Sequence, residues 1–320
     1  MSASNIVVLT AEAGLLPAAG GGESDPGRRT SAARRLLSRA AVTVSLVLIL
    51  VVLLAPGLLA HQDPIATGDD ILTGPSGTHL FGTDQLGRDV FSRNIYGVRP
   101  VLVASVCGVL VAAIAGVAIG VIGGSGPRWV RAVTMRIVDV LLALPVLLIA
   151  LILISTVGSG VPSIVLAVGV AFTPGFARVV ESSVRRLRSV EFVQAARVFG
   201  STSSRTAVRH LLPNLATEVV VLVSSGVGWA VLTATTLSFL GLGVRLPAPD
   251  WGSDLAAGAS NLSMAWWLST FPGIAITLTI LVTNFLGDYV MTVLDPRHGR
   301  RRTSFRTFLL PRLRDERKTA

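Results

Sequence analysis

Six long apolar segments constrain this chain more than any other feature of its sequence. They cover roughly residues 40–60, 100–122, 132–157, 161–180, 218–240 and 266–290. Each is long enough to cross about 30 Å of hydrocarbon as a helix. Because backbone polar groups in lipid must be satisfied within their own segment, each segment is predicted to be helical. The sequence therefore predicts an all-α integral membrane protein with six transmembrane helices.

Composition supports a lipid environment. Charged residues make up only 14% of the chain and hydrophobic residues 51%, whereas about a quarter of a soluble domain is charged. The net charge of +10 would suit nucleic acid, but apolar segments separate the basic clusters, which indicates membrane topology and no nucleic-acid partner. The single cysteine, Cys107, lies in an apolar run and is predicted to be a small core residue.

The arginines orient the predicted helices. With the amino terminus inside, about 24 of the 28 basic residues fall on inner segments and about 4 on outer ones. Both termini are therefore predicted to be cytoplasmic. We expect a disordered tail over 1–38, a permease domain over 39–299 and a basic tail over 300–320. The apolar piece near the start of the first tail is too short for the core of a signal peptide. The domain would carry outer loops at 61–99 and 241–265 and an inner loop at 181–213.

Prolines and small residues add local predictions. Pro100 and Pro162 fall at predicted helix starts, where a missing N–H costs little. Pro145, Pro174 and Pro272 are predicted to kink their helices. Small residues recur every four positions in the second apolar segment, which predicts one face that packs closely against another helix or lines a path; they are Gly108, Ala112, Gly116 and Gly120.

The inner loop at 181–213 carries the most specific signal. Residues 191–200 are predicted to form a short amphipathic helix, with Phe192, Ala195, Ala196 and Phe199 on one face and Gly200 as its stop. Arginine-rich flanks would hold this helix as a rigid knob, and its aromatic side chains could fill a groove on another protein.

This loop resembles the permease subunits of bacterial binding-protein-dependent ABC importers. Their pattern is Glu-Ala-Ala, three residues, Gly, nine residues, an apolar residue, one residue and Leu-Pro. Here Gln194-Ala195-Ala196, Gly200 and Leu212-Pro213 match at that spacing, while Gln194 replaces Glu and His210 replaces the apolar residue. The resemblance implies a coupling helix that docks on an ATPase subunit; its candidate residues are Glu191, Phe192, Gln194, Ala195, Ala196, Phe199, Gly200, Leu212 and Pro213.

The first outer loop carries a second pattern. Its residues Gly82, Thr83, Asp84, Gly87, Arg88 and Asp89 form Gly-Thr-Asp-x-x-Gly-Arg-Asp, which resembles the C-type subunits of dipeptide, oligopeptide and nickel permeases. Residues 90–96 are predicted to form an interfacial helix that directs Arg88, Asp89 and Arg93 toward water. We expect Arg88 and Asp89 to pair locally and hold the loop, with substrate contact as the alternative.

The resemblance, which covers roughly residues 40–299, implies a type I importer permease in the bacterial cytoplasmic membrane. It implies these partners: a second, B-type permease, two ATPase subunits that bind ATP and Mg²⁺, an external solute-binding protein, a di- or oligopeptide substrate and membrane lipid. Transport by alternating access is expected. A nickel chelate, glutathione or another small solute remains an alternative substrate.

Candidate chemistry within the chain is sparse. The sequence has no glycine-rich phosphate loop, no catalytic cluster and no metal motif, so we expect no enzyme activity and no bound cofactor. Asp139 is predicted to pair with Arg136. Asp139, Glu218 and Asp288 all lie near the ends of apolar segments. A secondary transporter would need a carboxylate at the membrane midplane, so these positions disfavour that alternative. Substrate-contacting residues cannot be assigned from the sequence.

Overall fold

The computed structural model describes residues 40, 42–190 and 211–294. This part of the chain is helical, and its strand-like pairing is one isolated bridge between Thr83 and Asp89. The helices are α1 Val42–Leu54, α2 Val90–Ser125, α3 Arg128–Leu142, α4 Val146–Val157, α5 Val161–Arg188, α6 Leu212–Leu237, α7 Trp251–Ala259 and α8 Trp267–Leu294.

The first apolar segment forms a shorter helix than predicted. Helix α1 ends at Leu54, and a 3₁₀ turn at Pro56–Leu58 follows. Ala55 adopts φ −136° and ψ 60°, because the ring of the following proline disfavours the helical conformation at the residue before it. The predicted span over 40–60 is therefore wrong at its carboxyl end.

Helix α2 is longer than predicted. It contains 36 residues and would reach about 54 Å at 1.5 Å per residue, well beyond the hydrocarbon thickness. The predicted interfacial helix and the second span are thus one continuous helix. Pro100 lies inside it rather than at its start.

The third predicted span is broken into two helices. Helices α3 and α4 meet at an angle of 92°, with Pro145 directly before α4 at ψ 131°. The sequence predicts a kink here, but the structure has a sharp break because proline removes a helical N–H and restricts the residue before it.

The remaining boundaries shift by one to two turns. Helix α5 continues to Arg188, so the inner loop begins later than the predicted residue 181. Helix α6 begins at Leu212 and passes into a π-helical turn at Ser238–Leu242. Pro162 lies in the first turn of α5, as predicted, and Pro213 lies in the first turn of α6.

Helices α2 and α5 pack closely through the predicted small-residue face. A Cβ atom added at Gly108 would lie 2.8 Å from Val168 Cβ, and one at Gly120 would lie 2.7 Å from Val180 Cβ. Ala112 is fully buried between the same helices in the main core cluster. The close-packing prediction is confirmed, since glycine alone leaves room for the branched side chains that face it.

Length and composition qualify four of the described helices to cross a membrane: α2, α5, α6 with its π-helical turn, and α8. The bent α3–α4 pair makes a fifth if it is one span, and α1 is shorter. In the described part of the chain the predicted six spans therefore appear as four or five such helices and one short apolar helix.

Candidate functional site

Two loop segments form the first candidate site, which we call the cap. It consists of residues 61–89 and residues 243–266, which fall almost wholly within the predicted outer loops 61–99 and 241–265. The amino-terminal end of α2 and the whole of α7 are built into it. The cap contains the family pattern at Gly82–Asp89, in which the side chains of Thr83, Asp84, Arg88 and Asp89 are buried.

Asp84 organises the turn at the centre of the pattern. Its Oδ1 accepts hydrogen bonds from the backbone N–H groups of Leu86 and Arg88, both at 2.9 Å. Its Oδ2 lies 2.6 Å from both Nε and Nη2 of Arg88. A carboxylate that accepts this many hydrogen bonds holds the turn in one geometry. Arg88 therefore pairs with Asp84, and the predicted pair with Asp89 is wrong.

The two glycines of the pattern are required by the backbone. Gly82 and Gly87 have φ of +75° and +70°, a region that side-chain-bearing residues adopt rarely. A Cβ at Gly82 would also lie 2.8 Å from the indole nitrogen of Trp267. That nitrogen donates a hydrogen bond to the Thr83 carbonyl at 3.2 Å, so the turn is attached to the start of α8.

Asp89 begins α2. Its Oδ2 accepts a 2.7 Å hydrogen bond from the Ser92 N–H, and this makes Asp89 the N-cap of the helix. Its other oxygen lies 3.0 Å from Nδ1 of His79. The side chain is buried and engaged within the cap, which favours a structural role over contact with a solute.

Arg93 joins the two segments of the cap. It is only 2% exposed, although the sequence predicts that it faces water. Its Nε and Nη2 lie 3.1 and 2.5 Å from Asp254 Oδ1, and its Nη1 donates at 3.1 Å to the carbonyls of Pro64 and Pro247. One buried guanidinium thus links residues of both segments to α2.

The amino-terminal end of α7 is a second anchor of the cap. Asp250 Oδ1 accepts from the N–H groups of Gly252 and Ser253 at 3.0 and 3.1 Å. The Trp251 indole donates to the Asn94 carbonyl at 2.7 Å. Desolvation by burial raises the pKa of Asp250, although its hydrogen bonds and the charge of Arg93 oppose that rise.

The opposite ends of the helices form the second candidate site, which we call the arginine-rich end. It comprises the carboxyl ends of α2 and α5 and the amino-terminal ends of α3 and α6. Glu181 on α5 is 3% exposed, and its Oε1 lies 2.8 Å from Arg131 Nε of α3 in an ion pair without hydrogen-bond alignment. This contact attaches α5 to α3.

A second contact attaches α5 to α6. Ser183 Oγ donates a 2.6 Å hydrogen bond to Glu218 Oε1, and Arg186 Nη2 lies 3.3 Å from Glu218 Oε2. The last turns of α5 are therefore fixed to the two neighbouring helices just before the predicted coupling segment. Asp139 pairs with Arg178 of α5 at 3.4 Å, so the predicted pair with Arg136 is wrong.

The predicted docking residues from Glu191 to Gly200 lie outside the described residues. Leu212 and Pro213 are described, and they form the first turn of α6. The sequence analysis does not predict the buried ion pairs of Arg93 with Asp254 and of Glu181 with Arg131. The one sequence signal for a buried Arg93 is its position four residues after the Gly-Thr-Asp-x-x-Gly-Arg-Asp pattern.

The described residues include no group of three or more histidine, cysteine or acidic side chains that could hold a metal. The predictions of no metal and no bound cofactor remain predictions.

Comparisons with known proteins agree with this architecture. Residues 116–300 match the family described as the binding-protein-dependent transport system inner membrane component. The glutathione transport system permease protein GsiD of Pectobacterium atrosepticum is 37% identical over 229 residues, which cover 72% of this chain and 76% of that protein. The dipeptide transport system permease protein DppC of Alkalihalophilus pseudofirmus is 35% identical over 249 residues, which cover 78% and 82%.

A solved structure shares the fold. It is the MetNI methionine ABC transporter in an inward-facing conformation, with a TM-score of 0.52 and 16% identity, over 62% of this chain and 94% of that chain. One family accounts for the helical architecture, the close packing of α2 against α5 and the matches over most of the chain. This chain belongs to the binding-protein-dependent transport system inner membrane components, with the type I ABC importer permease fold, and it is a membrane-spanning permease subunit rather than an enzyme.

Proposed function

We propose that this permease subunit translocates short peptides or peptide-like solutes across the bacterial cytoplasmic membrane by alternating access. The observation that carries the proposal is that relatives over more than 70% of the chain include both a glutathione and a dipeptide permease. Dipeptides and glutathione share a small size, amide bonds and charged ends.

The proposed assembly pairs this chain with a second permease, two ATPase subunits and an external solute-binding protein. ATP and Mg²⁺ bind on the ATPase subunits, because this sequence contains no phosphate-binding loop. Both termini lie in the cytoplasm, which places the arginine-rich end inside and the cap outside. The cap then receives solute from the binding protein.

The proposed coupling residues are those of the segment Glu191–Gly200, with Leu212 and Pro213 at the start of α6. The ion pairs at Glu181 and Glu218 support this role, because they fix both flanks of the segment to the rest of the bundle. Movement of a docked ATPase would therefore move α5, and with it α3 and α6, as a packed unit rather than bend a loose loop.

Uptake by cells tests the substrate. A strain that lacks the gene is complemented with the wild-type chain, and uptake of a labelled dipeptide, a labelled tripeptide, glutathione and nickel ion is measured. The proposal expects uptake of at least one peptide or glutathione to depend on the chain. Uptake of nickel alone would contradict it and favour the metal-chelate alternative.

A double substitution tests the coupling residues. Ala195→Leu with Gly200→Leu is expected to abolish ATP-driven uptake while the chain still inserts in the membrane, because bulky side chains block close approach of a partner backbone. Ala259→Leu in the cap is a control away from this segment. Normal transport by the double variant would contradict docking at residues 191–200.

A further inference from the structure

Helices α6 and α8 pack against each other in antiparallel directions. A Cβ atom added at Gly287 of α8 would lie 3.1 Å from the Ser224 carbonyl oxygen of α6, and one added at Gly228 of α6 would overlap Oδ1 of Asn284 on α8. The contacts therefore advance toward the carboxyl end of α6 as they approach the amino-terminal end of α8. Both helices are long and apolar enough to cross a membrane.

The exposed faces of these two helices lie on the same side of the pair. Val231 of α6 and Ile276 of α8 are buried in one core cluster, and the residue after each of them is exposed. An antiparallel pair has approximate two-fold symmetry, so positions that follow contact positions point to the same side of both helices. The surface that results, which we call the α6–α8 face, contains Ser225, Trp229, Leu232, Thr277, Leu281 and Asn284.

Asn284 is the residue of this face that a lipid environment accommodates worst. It lies about 5 Å along the axis from the midpoint of α8, and its side chain is exposed. Among the described residues, neither polar atom of its amide has a hydrogen-bond partner. An amide without a partner near the centre of the hydrocarbon is unfavourable, so Asn284 is expected to face something other than acyl chains.

The hydroxyl groups of the face are already engaged as donors. Ser225 Oγ donates to the Val221 carbonyl at 3.1 Å, and Thr277 Oγ1 donates to the Gly273 carbonyl at 2.8 Å. A hydroxyl that donates within its own helix is tolerated in apolar surroundings and offers an acceptor lone pair outward. Asn284 differs because its amide presents both a donor and an acceptor.

The large side chains around Asn284 disfavour close packing of another helix there. Helix pairs in membranes approach through small residues, as α2 and α5 do in this chain. Trp229, beside Gly228 at the level of Asn284, is 67% exposed, and Leu232 and Leu281 are 44% and 59% exposed. These side chains would keep the backbone of a neighbouring helix away from the amide, but they leave it open to a small solute.

A peptide group has chemistry complementary to this amide. Its N–H can donate to Oδ1 of Asn284 while its carbonyl accepts from Nδ2, so that the two amides satisfy each other. The acceptors at Ser225 and Thr277 suit further N–H or ammonium donors, and the Trp229 ring provides an apolar surface for alkyl side chains.

We propose that the α6–α8 face lines the path of the solute and that the Asn284 amide hydrogen-bonds to a peptide group of the solute. The inference rests on the proposed function, because it requires a solute with a peptide bond. Asn284 then contributes to specificity, since a site built to hydrogen-bond an N–H group rejects an analogue that lacks it.

Uptake of a peptide and of its N-methylated analogue tests the contact. Cells with the whole transporter, containing the wild-type chain or Asn284→Leu, receive subsaturating labelled alanyl-alanine or alanyl-N-methylalanine. If the wild type imports glutathione instead, glutathione is compared with its analogue methylated at the glycine nitrogen. Selection by the solute-binding protein is equal for both chains and cancels between them. The ratio of peptide to analogue uptake should be about fivefold larger for the wild type, because the analogue cannot donate to Asn284.

Phe285→Leu is the matched control, since Phe285 is the next residue, is exposed and has no hydrogen-bonding group; its uptake ratio should equal that of the wild type. Peptide uptake with an unchanged ratio in Asn284→Leu would overturn this inference and leave the proposed function intact. No uptake of peptide or glutathione by the wild type would refute the proposed function, and the inference with it. If Asn284→Leu does not assemble with the second permease, Asn284→Ala is measured in the same way. An unchanged ratio in that variant would assign the amide to the subunit interface and overturn the inference.

Discussion

Arg93→Met removes the buried contact that joins the two segments of the cap. Methionine fills a similar volume but leaves the Asp254 carboxylate without its guanidinium and the carbonyls of Pro64 and Pro247 without their 3.1 Å donor. Removal of one partner from a buried ion pair costs about 3–5 kcal/mol. We take the lower half of that range, because the Asp254 side chain is 16% exposed and can recover some hydration.

Arg99→Met provides the matched control on the same helix. Arg99 is half-buried and donates to the carbonyls of Leu53 and Leu54 at 2.7 and 2.9 Å. Both of these partners are neutral carbonyls rather than a carboxylate, so the loss of Arg99 should cost about 1 kcal/mol. Thermal unfolding of the purified transporter should show a decrease in Tm several-fold larger for Arg93→Met than for Arg99→Met. Equal decreases would refute the assignment of Arg93 as the joint of the cap.

The pH dependence of Arg93→Met gives an independent check. Desolvation raises the pKa of Asp254 above its ordinary value of 3.8, and the charge of Arg93 is the main opposing effect. Without Arg93 the pKa should rise further. The folded state then binds more protons than the unfolded state at any pH between 3.8 and the raised pKa, so stability increases as the pH falls through that window. A variant that is no more stable at pH 5 than at pH 8 would contradict this reasoning.

Three further predictions concern other parts of the molecule. Gly120→Leu should prevent close packing of α2 on α5 and lower the yield of folded protein in detergent. Gly175→Leu should be tolerated, because nothing lies within 4 Å of a Cβ added at Gly175. Equal yields of the two variants would contradict close packing at Gly120. Glu181→Gln should lower the free energy of unfolding by about 1 kcal/mol, because neutral glutamine cannot form the ion pair with Arg131. Thermal unfolding measures this loss, and uptake should fall while insertion in the membrane is unchanged. Normal uptake would contradict a role of the Glu181–Arg131 pair in coupling. Burial raises the pKa of Asp250, so the stability of the wild-type protein should increase as the pH falls toward 3.8. Asp250→Asn should remove that part of the pH dependence of Tm. An unchanged pH dependence would contradict the raised pKa of Asp250.

The sequence predicts the helices well because the signals for them are local. Apolar length identifies the spans, and the spacing of Gly108 and Gly120 identifies the face that meets α5. At Pro145 the sequence predicts a kink, whereas the structure has a break before α4. Proline fixes its own φ and disfavours a helical residue before it, but the direction of the chain after Pro145 depends on packing against α5.

The polar contacts of the cap could not be predicted in the same way. Arg93 and Asp254 are 161 positions apart in the chain, and no periodicity connects them. The amphipathic pattern of residues 90–96 indicates that Arg93 faces water. Here tertiary packing overrides that rule, because two segments fold over the end of α2 and bury its first arginine.

The resemblance identifies the pattern at Gly82–Asp89 but not its physical role. The sequence indicates only that Asp84 is one of six motif residues, and the structure shows that it accepts the hydrogen bonds that shape the turn. The role of the inner segment Glu191–Gly200 stays a prediction, since those residues lie outside the described part of the chain.

Co-purification tests the central claim most directly. The tagged chain is extracted in mild detergent from its own host, with a crosslinker introduced in place of Arg197, which lies within 191–200 but is not a candidate docking residue, and the proteins that accompany it are identified by mass spectrometry. The account predicts a second permease and an ATPase, with the ATPase crosslinked through residue 197. Recovery of this chain alone, with no crosslinked ATPase, would contradict an ATP-driven importer coupled through that segment.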